Sequence, residues 1–148
     1  MTIDTAHLNT CDLCALQGAP VWRGAKFSVI AVEEPNYPGF CRVVWHTHVK
    51  EMTDLALADR TLFMNAVWEV EAAVRAVFEP QKVNLASLGN MTPHLHWHVI
   101  PRFPDDAHWP NPVWAAVSRA TDASTLAARR AAVPRLHAAI AARLEALA

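Results

Sequence analysis

The chain has 148 residues and a formal net charge of −1, which is enough length for one domain with a conventional core and lacks the basic field needed to neutralise nucleic-acid phosphates. Apolar residues make up 53% of it, but no apolar run approaches the roughly 18 to 20 residues that span a bilayer. Met1 to Thr10 has neither the basic start nor the apolar core of a secretory signal, so the expectation is a cytoplasmic protein with no membrane or nucleic-acid partner.

The cysteines, Cys11, Cys14 and Cys41, are an odd set that does not read as a disulfide framework. Cys11-Asp12-Leu13-Cys14 is a CxxC, which in a reducing compartment is half of a zinc site, a redox motif or two ordinary thiols. A redox motif wants a βαβ unit after it, and none follows. Zinc wants two more ligands, which the later histidines can supply.

Phe27 to Val32 is rich in β-branched residues and reads as a strand. The breakers of Glu33 to Gly39 form a turn. Phe40 to Trp45 is a second strand, antiparallel to the first if the connection is a hairpin. His46 and His48 follow it, either as ligands or as the polar end of a strand. Thr53 or Asp54 can cap the next helix. Its Phe63, Ala66, Val67, Val70, Val74 and Val77 recur at steps of three and four and so face the core. Pro80 ends it. Lys82 to Leu88 is a third strand, and Gly89-Asn90-Met91-Thr92-Pro93 is a tight connection whose N–H groups and amide suit an anion or simply make a turn.

His94-Leu95-His96-Trp97-His98-Val99-Ile100 comes next. Strand side chains alternate between faces, so the three histidines line one face while Leu95, Trp97 and Val99 point into the core. A helix fits poorly, because positions two apart do not share a helix face. Imidazole titrates near neutrality, so such a row suits proton or metal chemistry. After Arg102 the prolines at 104, 110 and 112 forbid regular structure, and Trp109 and Trp114 there either cover a pocket or anchor the core. Ser124 can cap a last helix with an apolar stripe of Val133, Leu136, Ile140, Leu144 and Leu147, which Pro134 kinks or divides.

With these residues placed, His94 to Ile100 resembles, position for position, the His-φ-His-φ-His-φ-φ motif (φ apolar) of the histidine triad family of nucleotide hydrolases and transferases. The resemblance runs from about Phe27 to Arg102. It takes in the Pro38-Gly39 turn, Val43-Val44-Trp45, Asp54-Leu55 and the stretch from Asn84 to Gly89. Leu88-Gly89-Asn90 running into Pro93-His94 looks most like bacterial diadenosine tetraphosphate hydrolase-like proteins. Residues 1–148 are then one domain, with a core at about 27–102, an N-terminal CxxC arm at 1–26 and a C-terminal extension at 103–148.

The resemblance implies an α+β fold, an antiparallel sheet of about five strands with a long helix packed on it and a helical C-terminal region. Four strands are legible directly, and the fifth comes from the family. It also implies a homodimer and an adenine nucleotide substrate cleaved at its α-phosphate. His96 is the implied nucleophile, His98 the group bonding phosphate or leaving-group oxygen, and His94 the third catalytic histidine. Gly89, Asn90 and Thr92 are the implied phosphate contacts, in a loop shorter than the usual Gly-rich one. Phe40 departs from the histidine common after Pro-Gly in relatives. The third histidine favours a hydrolase, since the galactose-1-phosphate uridylyltransferase branch has glutamine there. No cofactor is implied for catalysis, but some members hold a structural zinc, which here implies Cys11, Cys14, His48 and His94.

Two other readings compete. One is a metal-dependent hydrolase whose three histidines share an ion, although alternate strand residues spread over roughly 13 Å. The other is a nucleotide-binding module without turnover.

Overall fold

The computed structural model describes residues 10–16 and 19–147. Of the N-terminal segment read for a signal, all but Thr10 lies outside the described residues. Five strands, β1 (Trp22–Arg23), β2 (Phe27–Ala31), β3 (Cys41–Trp45), β4 (Lys82–Ala86) and β5 (His96–Arg102), form one sheet in the order β1-β2-β3-β5-β4. All neighbours are antiparallel. The expected α+β sheet with a long helix and a helical C-terminal region is the fold observed. β1, only two residues long, is the strand that periodicity cannot reveal.

Alternation gives the sheet two different faces. Val29, Cys41, Val43, Trp45, Val83, Leu95 and Val99 are buried on one face, with Trp97 packed at its edge. Helix α1 (Leu57–Phe78) covers them with Phe63, Ala66, Val67, Val70, Ala73 and Val74. Its apolar period is the one read from the sequence, but its start is not. Asp54 caps a separate 3-10 turn, Met52–Asp54, in a reciprocal capping box with Glu51, and α1 begins after Ala56 with no side-chain cap. At its other end Glu79 takes a left-handed conformation (φ 46°), and Pro80 prevents continuation.

Helix α2 (Ala123–Leu147) buries Leu136, Ile140 and Leu144 against the same core. Each such burial contributes about 1.5–3 kcal/mol. The cap is Asp122 rather than Ser124: its carboxylate accepts the Thr125 N–H at 3.1 Å, and the Ser124 hydroxyl also donates to it. α2 runs through Pro134 as one helix, which leaves one backbone carbonyl a turn earlier without its N–H partner. The β2–β3 turn closes on Gly39 at φ +91°, where an added Cβ would stand 2.9 Å from the Phe78 ring.

Candidate functional site

The other face of the sheet carries the chemistry. Register places Ile30, Arg42, His98 and Ala86 in one cross-strand row, and Ser28, Val44 and His96 in the next. His96 and His98 are buried, with ring centroids 4.9 Å apart. His94 departs from the expected strand position: it precedes β5, and its ring is directed elsewhere.

Two short hydrogen bonds fix which ring nitrogens hold protons. A carbonyl oxygen only accepts, so His96 Nδ1, 2.6 Å from the carbonyl of His94, carries the hydrogen and donates. Nε2 of His96 is then the nitrogen with the free lone pair. Likewise His94 Nε2 donates to the carbonyl of Trp45 at 2.6 Å, leaving the lone pair on Nδ1. Ser87 Oγ donates to the carbonyl of His96 at 2.8 Å, holding the start of β5 against the end of β4.

His94 Nδ1 faces the N-terminal arm. There the N–H of Cys14 bonds the carbonyl of Cys11 at 3.1 Å, a turn that brings both thiols to one side. Cys11 Sγ lies 3.5 Å, Cys14 Sγ 3.4 Å and His48 Nδ1 3.2 Å from His94 Nδ1, and Cys14 Sγ lies 3.2 Å from His48 Nδ1. The four atoms all lie within 4.8 Å of one another. Ligand atoms at tetrahedral angles around zinc sit roughly 3.3–3.8 Å apart, so the donor set and its spacing fit that ion. Burial, then the hydrogen bond and charge of Cys11, push the Cys14 thiol up to about 11. A divalent cation offsets that cost by binding the thiolate. His46, the other candidate after β3, bonds Ser28 Oγ at 2.8 Å and the carbonyl of Ala25 at 3.2 Å instead.

Burial lowers the pKa of His96, against the hydrogen bond to His94 that raises it, and the charge of Arg42 lowers it further. For His98, burial first, then His96 and Arg42, bring the value down to about 4. Among the described residues, His98 Nδ1 is buried without a hydrogen-bond partner. Its ring packs against Phe40 (centroids 5.7 Å) and edge-on to Trp114 (5.2 Å). The pair is therefore neutral at pH 7.

The proline-rich segment that holds Trp114 in place is organised by Asp106. Its carboxylate accepts Arg102 Nε at 2.8 Å and Nη2 at 3.1 Å, the N–H groups of Phe103, His108 and Trp109, and the hydroxyl of Tyr37. Arg102 also donates to Asn84 Oδ1 and to the carbonyl of Asn111, both at 2.6 Å. Burial alone would raise the Asp106 carboxyl, but Arg102 and the N–H donors outweigh it and hold it at about 2. Asn84, Ala86, Arg102, Trp109 and Trp114 line a cavity of about 440 Å³ beside β4.

Gly89 (φ +75°), Asn90 and Thr92 lie in the connection leading to His94. The Thr92 carbonyl accepts the His94 N–H at 2.8 Å, while the Asn90 side chain is exposed and makes no hydrogen bond to His96 or His98. Sequence reasoning missed Arg42, Ser87 and Asp106. The only signal for Arg42 was a lone cation inside an apolar strand, whose meaning depends on the β3–β5 register.

Comparison with known proteins agrees with this fold. A HIT domain family model matches residues 21–105. A histidine triad protein from Bradyrhizobium japonicum is 25% identical with a TM-score of 0.65, over 90% of this chain and 96% of that one. One from Marinobacter aquaeolei is 24% identical with a TM-score of 0.68, over 91% and 94%. A zinc-bound histidine triad family protein from Mycobacterium smegmatis is 22% identical with a TM-score of 0.60, over 95% and 99%. No curated protein matches the chain.

Proposed function

We propose that this chain, which belongs to the HIT domain family, is a nucleotide hydrolase that cleaves at the α-phosphate of adenine nucleotide conjugates, in the manner of diadenosine tetraphosphate hydrolases. The observation that carries this reading is the 2.6 Å bond from His96 Nδ1 to the carbonyl of His94. It leaves Nε2 of a buried, neutral imidazole as the nucleophile. Nε2 attacks the α-phosphorus, a P–N bond forms, and the bond to the leaving group breaks with its electron pair going to the leaving oxygen or nitrogen. Water then hydrolyses the P–N bond, releasing the nucleoside monophosphate and restoring the imidazole. His98 bonds the phosphoryl or leaving-group oxygen one pleat along. The β4–β5 connection at Gly89, Asn90 and Thr92 supplies further donors for the charge on phosphorus.

Cys11, Cys14, His48 and His94 would hold a structural zinc that ties the N-terminal arm to the sheet, as their spacing supports. With both its nitrogens engaged at that cluster and at Trp45, His94 cannot join His96 and His98 on one ion, which disfavours a metal centre built from the triad. The functional unit is proposed to be a cytoplasmic homodimer of single-domain subunits.

The test is release of AMP from diadenosine tetraphosphate and from an adenosine phosphoramidate, by wild type and His96→Ala, each with and without a chelator. Turnover that survives the chelator and disappears in His96→Ala supports the nucleophile, and the faster substrate identifies the branch. A folded His96→Ala protein of undiminished activity overturns the covalent mechanism. AMP binding without turnover by wild type leaves a nucleotide-binding module.

A further inference from the structure

Arg42 sits in the middle of the site face, directly opposite His98 in the β3–β5 register and between it and Ile30 of β2. Its guanidinium is close enough for its charge to bear on both His96 and His98. A guanidinium stays charged at neutral pH, and taking it out of water is costly unless an anion or a set of acceptors replaces the lost hydration. Arg42 is half-buried, and among the described residues its buried Nε has no hydrogen-bond partner and its guanidinium forms no ion pair.

Arg102, on the same face, shows how this fold treats a cation whose role is structural. It receives a bidentate carboxylate from Asp106, an amide oxygen from Asn84 and a backbone carbonyl from Asn111. The two neighbours of Arg42 in its row, Ile30 and His98, include no carboxylate, and the aromatic rings of Phe40 and Trp114 on His98 offer none. A charged fork left without a counter-ion beside a neutral nucleophile is complementary to an anion that arrives with the substrate.

We propose that Arg42 is a substrate-binding residue, whose guanidinium donates to the non-bridging oxygens of the phosphate that reacts at His96. The site thereby selects phosphorylated nucleosides over uncharged ones. This assignment rests on the hydrolase reading for its reaction but not for its binding. It also supplies a phosphate donor on the sheet itself, beside the donors of the β4–β5 connection, where the exposed Asn90 side chain makes no hydrogen bond to the histidine pair.

The experiment measures calorimetric binding of AMP and of adenosine to wild type, Arg42→Lys and Arg42→Met. Diadenosine tetraphosphate turnover is followed by the same proteins and by His96→Ala, with thermal melts as the folding control. Arg42→Met keeps most of the aliphatic stem and removes the charge. It should weaken AMP binding on the order of 10- to 100-fold, the worth of a charge-assisted hydrogen bond or two, and leave adenosine within about twofold. Arg42→Lys, which keeps the charge and loses the fork, should fall between, and the salt dependence of AMP binding should flatten in Arg42→Met.

The proposal is overturned if wild type does not bind AMP, if Arg42→Met binds it as well as wild type, or if AMP and adenosine weaken in parallel. If Arg42→Met does not fold, Arg42→Gln carries the same comparison of AMP with adenosine. Arg42-dependent AMP binding without turnover keeps the phosphate site and removes the hydrolase. Turnover that is lost in His96→Ala but indifferent to Arg42→Met does the reverse.

Discussion

His94 and His96 stand two residues apart and receive opposite proton assignments. His94 donates through Nε2 to Trp45 and presents Nδ1 to the thiols, while His96 donates through Nδ1 to the carbonyl of His94 and presents Nε2 to the open face. One residue thus serves as a donor toward the Cys2His2 cluster and, through its backbone, as the group that orients its neighbour. The two jobs are separable by mutation. Cys14→Ser or His48→Ala is expected to abolish stoichiometric zinc binding and to cost on the order of a few kcal/mol of stability, with turnover retained below the melting temperature. His96→Ala is expected to keep its zinc and its melting temperature while kcat falls at least about 1,000-fold. Zinc content by atomic absorption, melts and AMP release on the same preparations decide it. A His48→Ala protein with full zinc content would refute the ligand set. The alternating pattern made His96 and His98 legible in the sequence. The separate orientation of His94 was not, because it depends on a carbonyl of β3 and on an arm whose cysteines lie 80 and 83 positions away.

The elements differ in how much of their placement a local pattern carries. α1 declares its buried face by steps of three and four, and β2 and β3 by their β-branched runs. β1 is too short to have a period. The cap of α2 falls on Asp122 because its carboxylate reaches the Thr125 N–H, a choice among Asp122, Ser124 and Thr125 that composition leaves open. Residues 103–119 have no period at all, and their order comes from the Arg102–Asp106 pair with its backbone donors. Asp106→Asn leaves Arg102 buried without its carboxylate, and breaking a buried pair in this way costs about 3–5 kcal/mol. Denaturant unfolding should show that loss, and Trp114 fluorescence should report a loosened cover over His98. Ile140→Ala on α2, by contrast, should cost about 2–5 kcal/mol with catalytic constants unchanged at low temperature. A destabilisation by Asp106→Asn below about 1 kcal/mol would mean that the segment is held by its prolines and aromatic contacts rather than by the ion pair.

At the scale of the whole molecule, the burial of neutral histidines gives a response to acid that begins above the carboxylate range. His98 sits at about 4 in the fold against an ordinary 6.5, and burial lowers His137 of α2 in the same direction. Between those values the unfolded chain binds a proton that the folded chain does not, so stability rises with pH across that window. The contribution of His98 is fully present above about pH 6.5 and disappears as pH falls toward 4, a change on the order of 3 kcal/mol. Asp106, held at about 2 against an ordinary 3.8, adds its loss only below that range. Urea unfolding at pH 7.5, 6 and 5 should therefore show wild type weakening well above the carboxylate range. His98→Asn, which has no proton to take up there, should show a flatter profile than wild type whatever its absolute stability. The difference between the two curves isolates His98 from every other group whose protonation changes over the same range. Parallel curves would mean that His98 exchanges protons with solvent as freely in the fold as out of it, and that the aromatic enclosure by Phe40 and Trp114 does not exclude water from the ring.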